Sequence, residues 1–208
     1  VEIDKDAEIT IEVNPGTVNL EKLRRYREIG VNRLSIGSQS FNNERLKLLG
    51  RIHSSNEIIE CFINARKAGF VNISLDLMFA LPGQTKEELA SDMKKIVELN
   101  PEHISVYSLI WEEGTIFEEM KKKGEVSPKD EDEEAEMYEF VIKFLEENGY
   151  THYEISNFAK TGFESKHNLK YWENREYTGI GVGASGYIDS IRYKNFTELA
   201  DYYSSINL

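Results

Sequence analysis

The sequence predicts an α/β fold built on a parallel sheet or barrel, and three observations predict it. Four short runs alternate apolar and polar residues with the period of a strand. The connections between these runs carry helical apolar spacing. The helices open on capping residues and close on Gly or Asn-Pro, so their ends are written locally.

In chain order, Ile9 to Val13 reads as a strand. A helix follows from about Leu20, with Asn19 as its N-cap and Gly30 as its stop. Arg33 to Gly37 is the second strand. Ser54-x-x-Glu57 is a capping box, and Ile58, Ile59, Phe62 and Ala65 give a helical face that ends at Gly69. Val71 to Met78 is the third strand. Thr85-x-x-Glu88 opens another helix, with Leu89, Met93, Ile96 and Val97 inward and Asn100-Pro101 as its end. Ile104 to Leu109 is the fourth strand. Parallel neighbours need such crossovers.

After Gly114 the pattern changes. Lys121 to Gly124 reads as a surface turn. The acidic run Asp130 to Glu136 leads a helix through Leu145, closed by Gly149; a solvated start favoured by the helix dipole accounts for it. From Tyr150 on, the chain is aromatic and Gly-rich, and short strands are expected. The division expected from this is residues 1–125, the barrel part, and residues 126–208, an α+β extension.

Composition narrows the function. With 208 residues, 40% hydrophobic content, 11 Tyr, 10 Phe and 2 Trp, the chain can bury a sizeable core. No apolar run approaches the ~18 residues of a membrane span. The start, Val1 to Lys5, is charged and unlike a signal peptide, and Val1 in place of Met points to a start in mid-protein. A net charge of −12 argues against nucleic acid as a partner. The single cysteine, Cys61, forbids a disulfide within the chain and fits a reducing compartment, the cytoplasm. One cysteine also cannot hold an iron–sulfur cluster.

The polar residues of the early strands share one parity. Thr10 and Glu12, then Arg33, Ser35 and Gly37, then Ser74, Asp76 and Met78 alternate with the apolar set, and Gln39 continues the polar side. Glu12, Gln39 and Asp76 are therefore expected on one interior face, near the C-terminal strand ends that carry sites in α/β barrels. A carboxylate there needs a partner or a ligand. Glu12 and Asp76 suit ribose hydroxyls or an amino group, and Gln39 both donates and accepts. The competing expectation pairs them with Arg33, Arg51 or a backbone amide.

These blocks resemble a known family. Glu12-Val13-Asn14-Pro15 looks like the E-x-N-P stretch of the radical S-adenosylmethionine (SAM) proteins of the oxygen-independent coproporphyrinogen oxidase-like group. Asn32 to Phe41, followed by Leu49 to His53, resembles its N-R-x-S-x-G-x-Q-S-F…L-x-R-x-H block. Asp76 to Thr85 is similar to D-L-M-x-G-L-P-G-Q-T, with Ala80 in place of the usual Gly. His103 to Leu109, then Glu112 to Thr115, is a further matching block. The resemblance implies a partial (βα)6 radical SAM barrel, about four strands of it present here. It makes Glu12, Gln39, Arg51 and Asp76 the SAM contacts, with Arg51 suited to the methionine carboxylate. The family's C-x-x-x-C-x-x-C loop lies upstream of these blocks, so the resemblance gives this chain no metal ligand for the cluster. A core role is expected for Cys61.

His167-Asn168-Leu169-Lys170-Tyr171-Trp172 is similar to the H-N-x-x-Y-W motif of the group's haem-chaperone branch. Imidazole ligates haem iron, and Tyr and Trp offer flat faces to a porphyrin. The resemblance therefore marks His167, Tyr171 and Trp172 as haem contacts, with His167 at the iron. The bare residues also fit an aromatic core with a hydrogen-bonded His. Gly179-Ile180-Gly181-Val182-Gly183-Ala184 has G-x-G-x-G spacing rather than the dinucleotide fingerprint, and close backbone approach is its expected need.

The function expected for the whole protein is haem binding and transfer to acceptor proteins, with SAM and a [4Fe–4S] cluster in the barrel. The alternative is a radical enzyme that decarboxylates coproporphyrinogen. The chain by itself is expected to be inert.

Overall fold

The computed structural model describes residues 2–206, so the reading of Val1 lies outside the described residues. The chain forms two compact units, residues 1–164 and 165–208.

In the first unit, β1 (Thr10–Val13), β2 (Arg33–Gln39), β3 (Ile73–Phe79) and β4 (His103–Ser108) pair in parallel and in sequence order. The crossovers are α1 (Leu20–Glu28), then α2 (Asn43–Leu48) with α3 (Ser55–Lys67), and α4 (Lys86–Leu99). The caps sit where the local signals put them. Asn19 accepts from the Lys22 amide, and both capping boxes, Ser54 with Glu57 and Thr85 with Glu88, are complete. Asn100 ends α4 in the left-handed region at φ 56°.

The strands sort their side chains by parity. Leu34, Ile36, Ile73, Leu75, Leu77, Ile104 and Val106 are buried on one face. They share a core with Leu23 of α1, Ile58, Phe62 and Ala65 of α3, and Leu89, Met93 and Ile96 of α4. Cys61 belongs to that core. The opposite face carries Arg33, Ser35, Ser74, Asp76, His103 and Ser105 and has no helix of these crossovers as its cover.

Beyond β4 the structure departs from the expected division. A short helix, α5 (Ile116–Lys122), leads into the turn expected at Lys121 to Gly124 and shares its first two residues; its N-cap is Thr115, whose side chain accepts from the Glu118 amide. Helix α6 (Glu131–Glu147) lays Met137, Val141 and Leu145 into the same core. Strands β5 (Thr151–Glu154) and β6 (Asn157–Ala159) join the sheet antiparallel through β4, giving the order β1-β2-β3-β4-β6-β5. The units therefore divide after Glu164 and not near residue 125, because residues 126–159 complete the first unit's core and sheet.

Ala80, which stands where the resembling family has Gly, takes φ 55° while buried. A Cβ costs roughly 1 kcal/mol in that region, so the Gly of the pattern has a backbone reason.

The second unit holds α7 (Lys166–Trp172), the hairpin β7 (Ser185–Ile188) with β8 (Ile191–Lys194), and α8 (Leu199–Ile206). Short strands were expected here, and two helices stand beside them. The Gly-rich turn is a place of close approach: a Cβ on Gly179 would lie 2.1 Å from the Ser185 carbonyl oxygen.

Candidate functional site

The polar face of the first unit is built around Asp76. Register places Asp76 beside Gly37 of β2 and Ser105 of β4, and Ser74 beside Ser35. The Ser35 hydroxyl lies 3.1 and 3.0 Å from the two Asp76 oxygens, and the Ser74 hydroxyl donates to Oδ1 at 3.1 Å. Ser105 adds a third hydroxyl, and the Arg33 guanidinium acts through its charge. Burial still dominates and pushes the Asp76 carboxyl above the ordinary carboxylate range, against these four influences.

A polar chain continues outward from Asp76. The Ser74 oxygen lies 2.8 Å from His103 Nδ1, and His103 Nε2 lies 2.7 Å from the Tyr153 hydroxyl. The Ser74 hydroxyl has one hydrogen to donate, and it goes to Asp76 Oδ1. The Ser74 oxygen then accepts from Nδ1–H, and Nε2 accepts from Tyr153. His103 is 1% exposed, and burial, aided by the Arg33 charge, lowers its pKa to about 3. The sign follows. The folded His103 stays neutral, whereas the unfolded chain binds a proton below about pH 6.5. Stability from this residue is therefore complete above pH 6.5 and is lost as pH falls toward 3. Urea unfolding should show a loss of about 2 kcal/mol between pH 7 and pH 5 that His103→Gln removes. An identical loss in the variant would contradict the buried neutral imidazole.

Gln39 reaches this face by a route that parity does not describe. The β2–β3 register shifts between Gly37 and Gln39. Gln39 sits at φ 63° within a three-residue turn, closed by the Ser40 amide donating to the Ser38 carbonyl at 2.8 Å. Asp92 of α4 holds that turn, accepting from the Ser40 hydroxyl at 2.6 Å and the Phe41 amide at 3.0 Å. Such a conformation persists only when its surroundings impose it. The turn folds the amide back, with Gln39 Nε2 3.0 Å from the place a Gly37 Cβ would occupy. Asn14 Oδ1 lies 3.3 Å from the same point and accepts from Arg51 Nη1 at 3.0 Å. Gly37 thus leaves room where Gln39, Asn14 and Arg51 gather beside Asp76.

Glu12 pairs with Ser35 in register, shares its parity and is exposed on the edge strand. Of the alternative partners, Arg33 acts on Asp76 by charge and Arg51 is taken by Asn14. The residues that sequence reasoning did not single out for the site are Asn14, Asp92, Ser105 and His103. The β4 alternation of His103, Ser105 and Tyr107 carried the same signal as the earlier strands.

This arrangement fits SAM. It offers a carboxylate with rotatable hydroxyl donors behind it, an amide, a guanidinium and a glycine floor. It does not fit the cluster. Cys61 lies in the core, and among the described residues no three His, Cys, Asp or Glu side chains are grouped to hold a metal. A cavity of about 420 Å³ lies on the opposite, apolar side, lined by Phe79, Val106, Tyr138 and Ile155, away from Asp76.

The second unit carries the other candidate group. His167 and Tyr171 stand four residues apart on one face of α7, as helical spacing requires. The Tyr171 hydroxyl and His167 Nε2 are 2.9 Å apart, with the rings edge-on at 4.8 Å. Tyr171 packs against Tyr177 at 4.5 Å. Burial, with Tyr177 beside it, raises the Tyr171 pKa. Trp172 is 56% exposed and Tyr171 44%, so a large part of each ring can be reached by a flat ligand. All three predicted residues therefore lie on one short helix, and Tyr171 and Trp172 line a small cavity of about 160 Å³ with Tyr177 and Tyr187.

Comparison with known proteins bears on the family and the fold. Residues 1–96 match the radical SAM superfamily. The chain is 47% identical over 195 residues to the heme chaperone HemW of Lactococcus lactis, covering 94% of this chain and 52% of that protein. It is 44% identical to the heme chaperone HemW of Escherichia coli over 87% of this chain and 47% of that protein. Among solved structures, the radical SAM enzyme coproporphyrinogen III oxidase (HemN) from Escherichia coli aligns with a TM-score of 0.81 and 29% identity, over 98% of this chain and 50% of that one. The chain spans about half the length of the curated relatives it matches. No described helix is long and apolar enough to cross a membrane. The chain belongs to the radical SAM superfamily.

Proposed function

We propose that this chain is part of a haem chaperone, which binds haem and passes it to acceptor proteins. The observation that carries the reading is the H-N-x-x-Y-W helix, with His167, Tyr171 and Trp172 exposed together in a chain 47% identical to a relative called a heme chaperone. In this reading His167 ligates the iron through Nε2, which the Tyr171 hydroxyl must first vacate, and Tyr171 and Trp172 cover the porphyrin. The polar face of the first unit binds SAM through Glu12, Gln39, Arg51 and Asp76. A [4Fe–4S] cluster is held by thiolates other than Cys61. The cytoplasm is the compartment that a free, buried Cys61 suits best.

The test is His167→Ala in the full-length protein. The Soret band should shift, haem affinity should fall at least tenfold, and the far-ultraviolet dichroism should not change. An unaltered Soret band with an unaltered transfer rate would remove His167 from the iron.

The second reading, a coproporphyrinogen oxidase, is favoured by the likeness to HemN at a TM-score of 0.81. Incubation with coproporphyrinogen, SAM and a reductant separates the two: a chaperone leaves the propionates intact.

A further inference from the structure

We infer that Arg175 and Arg192 receive the propionate carboxylates of the porphyrin, so that the second unit selects haem by its acid groups as well as by its iron. The inference rests on the haem reading and adds to it two cationic contacts outside the motif.

The cavity beside Tyr171 and Trp172 is not purely aromatic. Arg175, three residues past Trp172, and Arg192 on β8 line it together with Tyr177 and Tyr187. A ligand whose flat body lies on the aromatic faces therefore meets two guanidiniums at the same place. Guanidinium is the side chain best matched to carboxylate, because its planar fork gives two parallel N–H···O bonds. Free haem is a flat apolar ring with two carboxylates on one edge, and its body and edge correspond to these two kinds of lining.

Neither guanidinium is committed to a buried partner. The Arg192 guanidinium carbon stands 5.5 Å over the Tyr187 ring, which supports it without taking up its in-plane N–H groups. Arg175 Nε pairs with Glu173 Oε2 at 2.6 Å, and both side chains are largely exposed. An exposed pair of that kind is worth little and yields readily to a better carboxylate.

Charge distribution points the same way. The chain carries −12 overall, which would repel a dianion. Residues 165–208 hold five Lys or Arg and five Asp or Glu, so the whole excess lies in the rest of the sequence. The unit bearing the motif is locally neutral, and both arginines of that unit line this one cavity.

The experiment uses the full-length protein, titrated with haemin and with haemin dimethyl ester in the same dilute detergent and followed by the Soret band. Wild type should bind haemin about tenfold or more tightly than the ester, the scale of a charge-assisted contact. Arg175→Gln/Arg192→Gln should lose most of that preference by weakening haemin alone, with the ester bound as before. Arg175→Lys/Arg192→Lys should recover part of it, since charge is kept and the fork is lost. Equal binding of haemin and ester by wild type, or an unchanged preference in the Gln pair, overturns the inference while leaving the haem reading in place. Failure of wild type to bind either compound overturns the haem reading, and the inference with it.

Discussion

Reconstituted anaerobically with iron and sulfide, the 208-residue chain is expected to hold no four-iron cluster and to release no deoxyadenosine from SAM. A cluster that leaves one iron open for SAM needs three protein thiolates. The sequence has one cysteine. Cys61 is also badly placed: it lies on α3 within the core, 4% exposed, and burial pushes its thiol up to about 11. A thiol held protonated in an apolar setting is a poor ligand, because the thiolate is the form that binds metal. Carboxylates and imidazoles offer no substitute, since the described residues contain no group of three near enough to share an ion. Optical and EPR spectra should therefore show adventitious iron only, whereas the full-length protein treated in the same way should show the cluster. A stable four-iron signal from the 208-residue chain, or SAM cleavage by it, would contradict the argument. The loss is all-or-none, unlike the graded effects of single contacts.

The parts legible in the sequence are those with local causes. The strands β1 to β4 follow from a period of two, and the helices between them from side chains that cap their own backbone, as at Ser54 and Thr85. Asp76 was legible for the same reason, since parity alone aims it away from the helices. Gln39 was legible only in part. Its side chain reaches the expected face, but through a left-handed turn enforced by Asp92, 51 residues from the Phe41 amide it accepts. Period counting cannot see a distant clamp. The insertion of β6 beside β4 was hidden likewise: Asn157–Ala159 is three residues long and becomes a strand because His103 to Ser105 offers it partners. In the second unit, α7 escaped notice although Ser165 caps it and His167 and Tyr171 have helical spacing. Seven residues rich in aromatics weigh equally toward strand, and the tertiary setting decides.

Asp76→Asn should make the protein more stable and less able to bind SAM. The carboxylate is surrounded by donors, yet its pKa is raised, because desolvation outweighs the hydroxyls of Ser35, Ser74 and Ser105 and the charge of Arg33. A folded pKa above the unfolded one means that stability is fully present below about pH 3.9 and is lost as pH rises through the folded value. At neutral pH a titratable carboxyl at position 76 therefore costs the fold free energy that an uncharged side chain would not. Asn is nearly isosteric and uncharged, and the serine hydroxyls can rotate to meet its amide. The melting midpoint at pH 7.5 should rise by about 2–4 °C for each 1 kcal/mol relieved, and wild type and variant should converge near pH 4. The functional effect has the opposite sign. A carboxylate accepts hydrogen bonds from ribose hydroxyls or an amino group more strongly than an amide does, by about 1.5–3 kcal/mol for a contact to a charged group. SAM affinity of the reconstituted full-length protein should then fall by roughly ten- to a hundredfold in calorimetric titration. Opposite signs separate this from simple misfolding, which would lower both. A variant that melts lower at pH 7.5, or that binds SAM as wild type does, would show that Asp76 belongs to the scaffold and not to the SAM site.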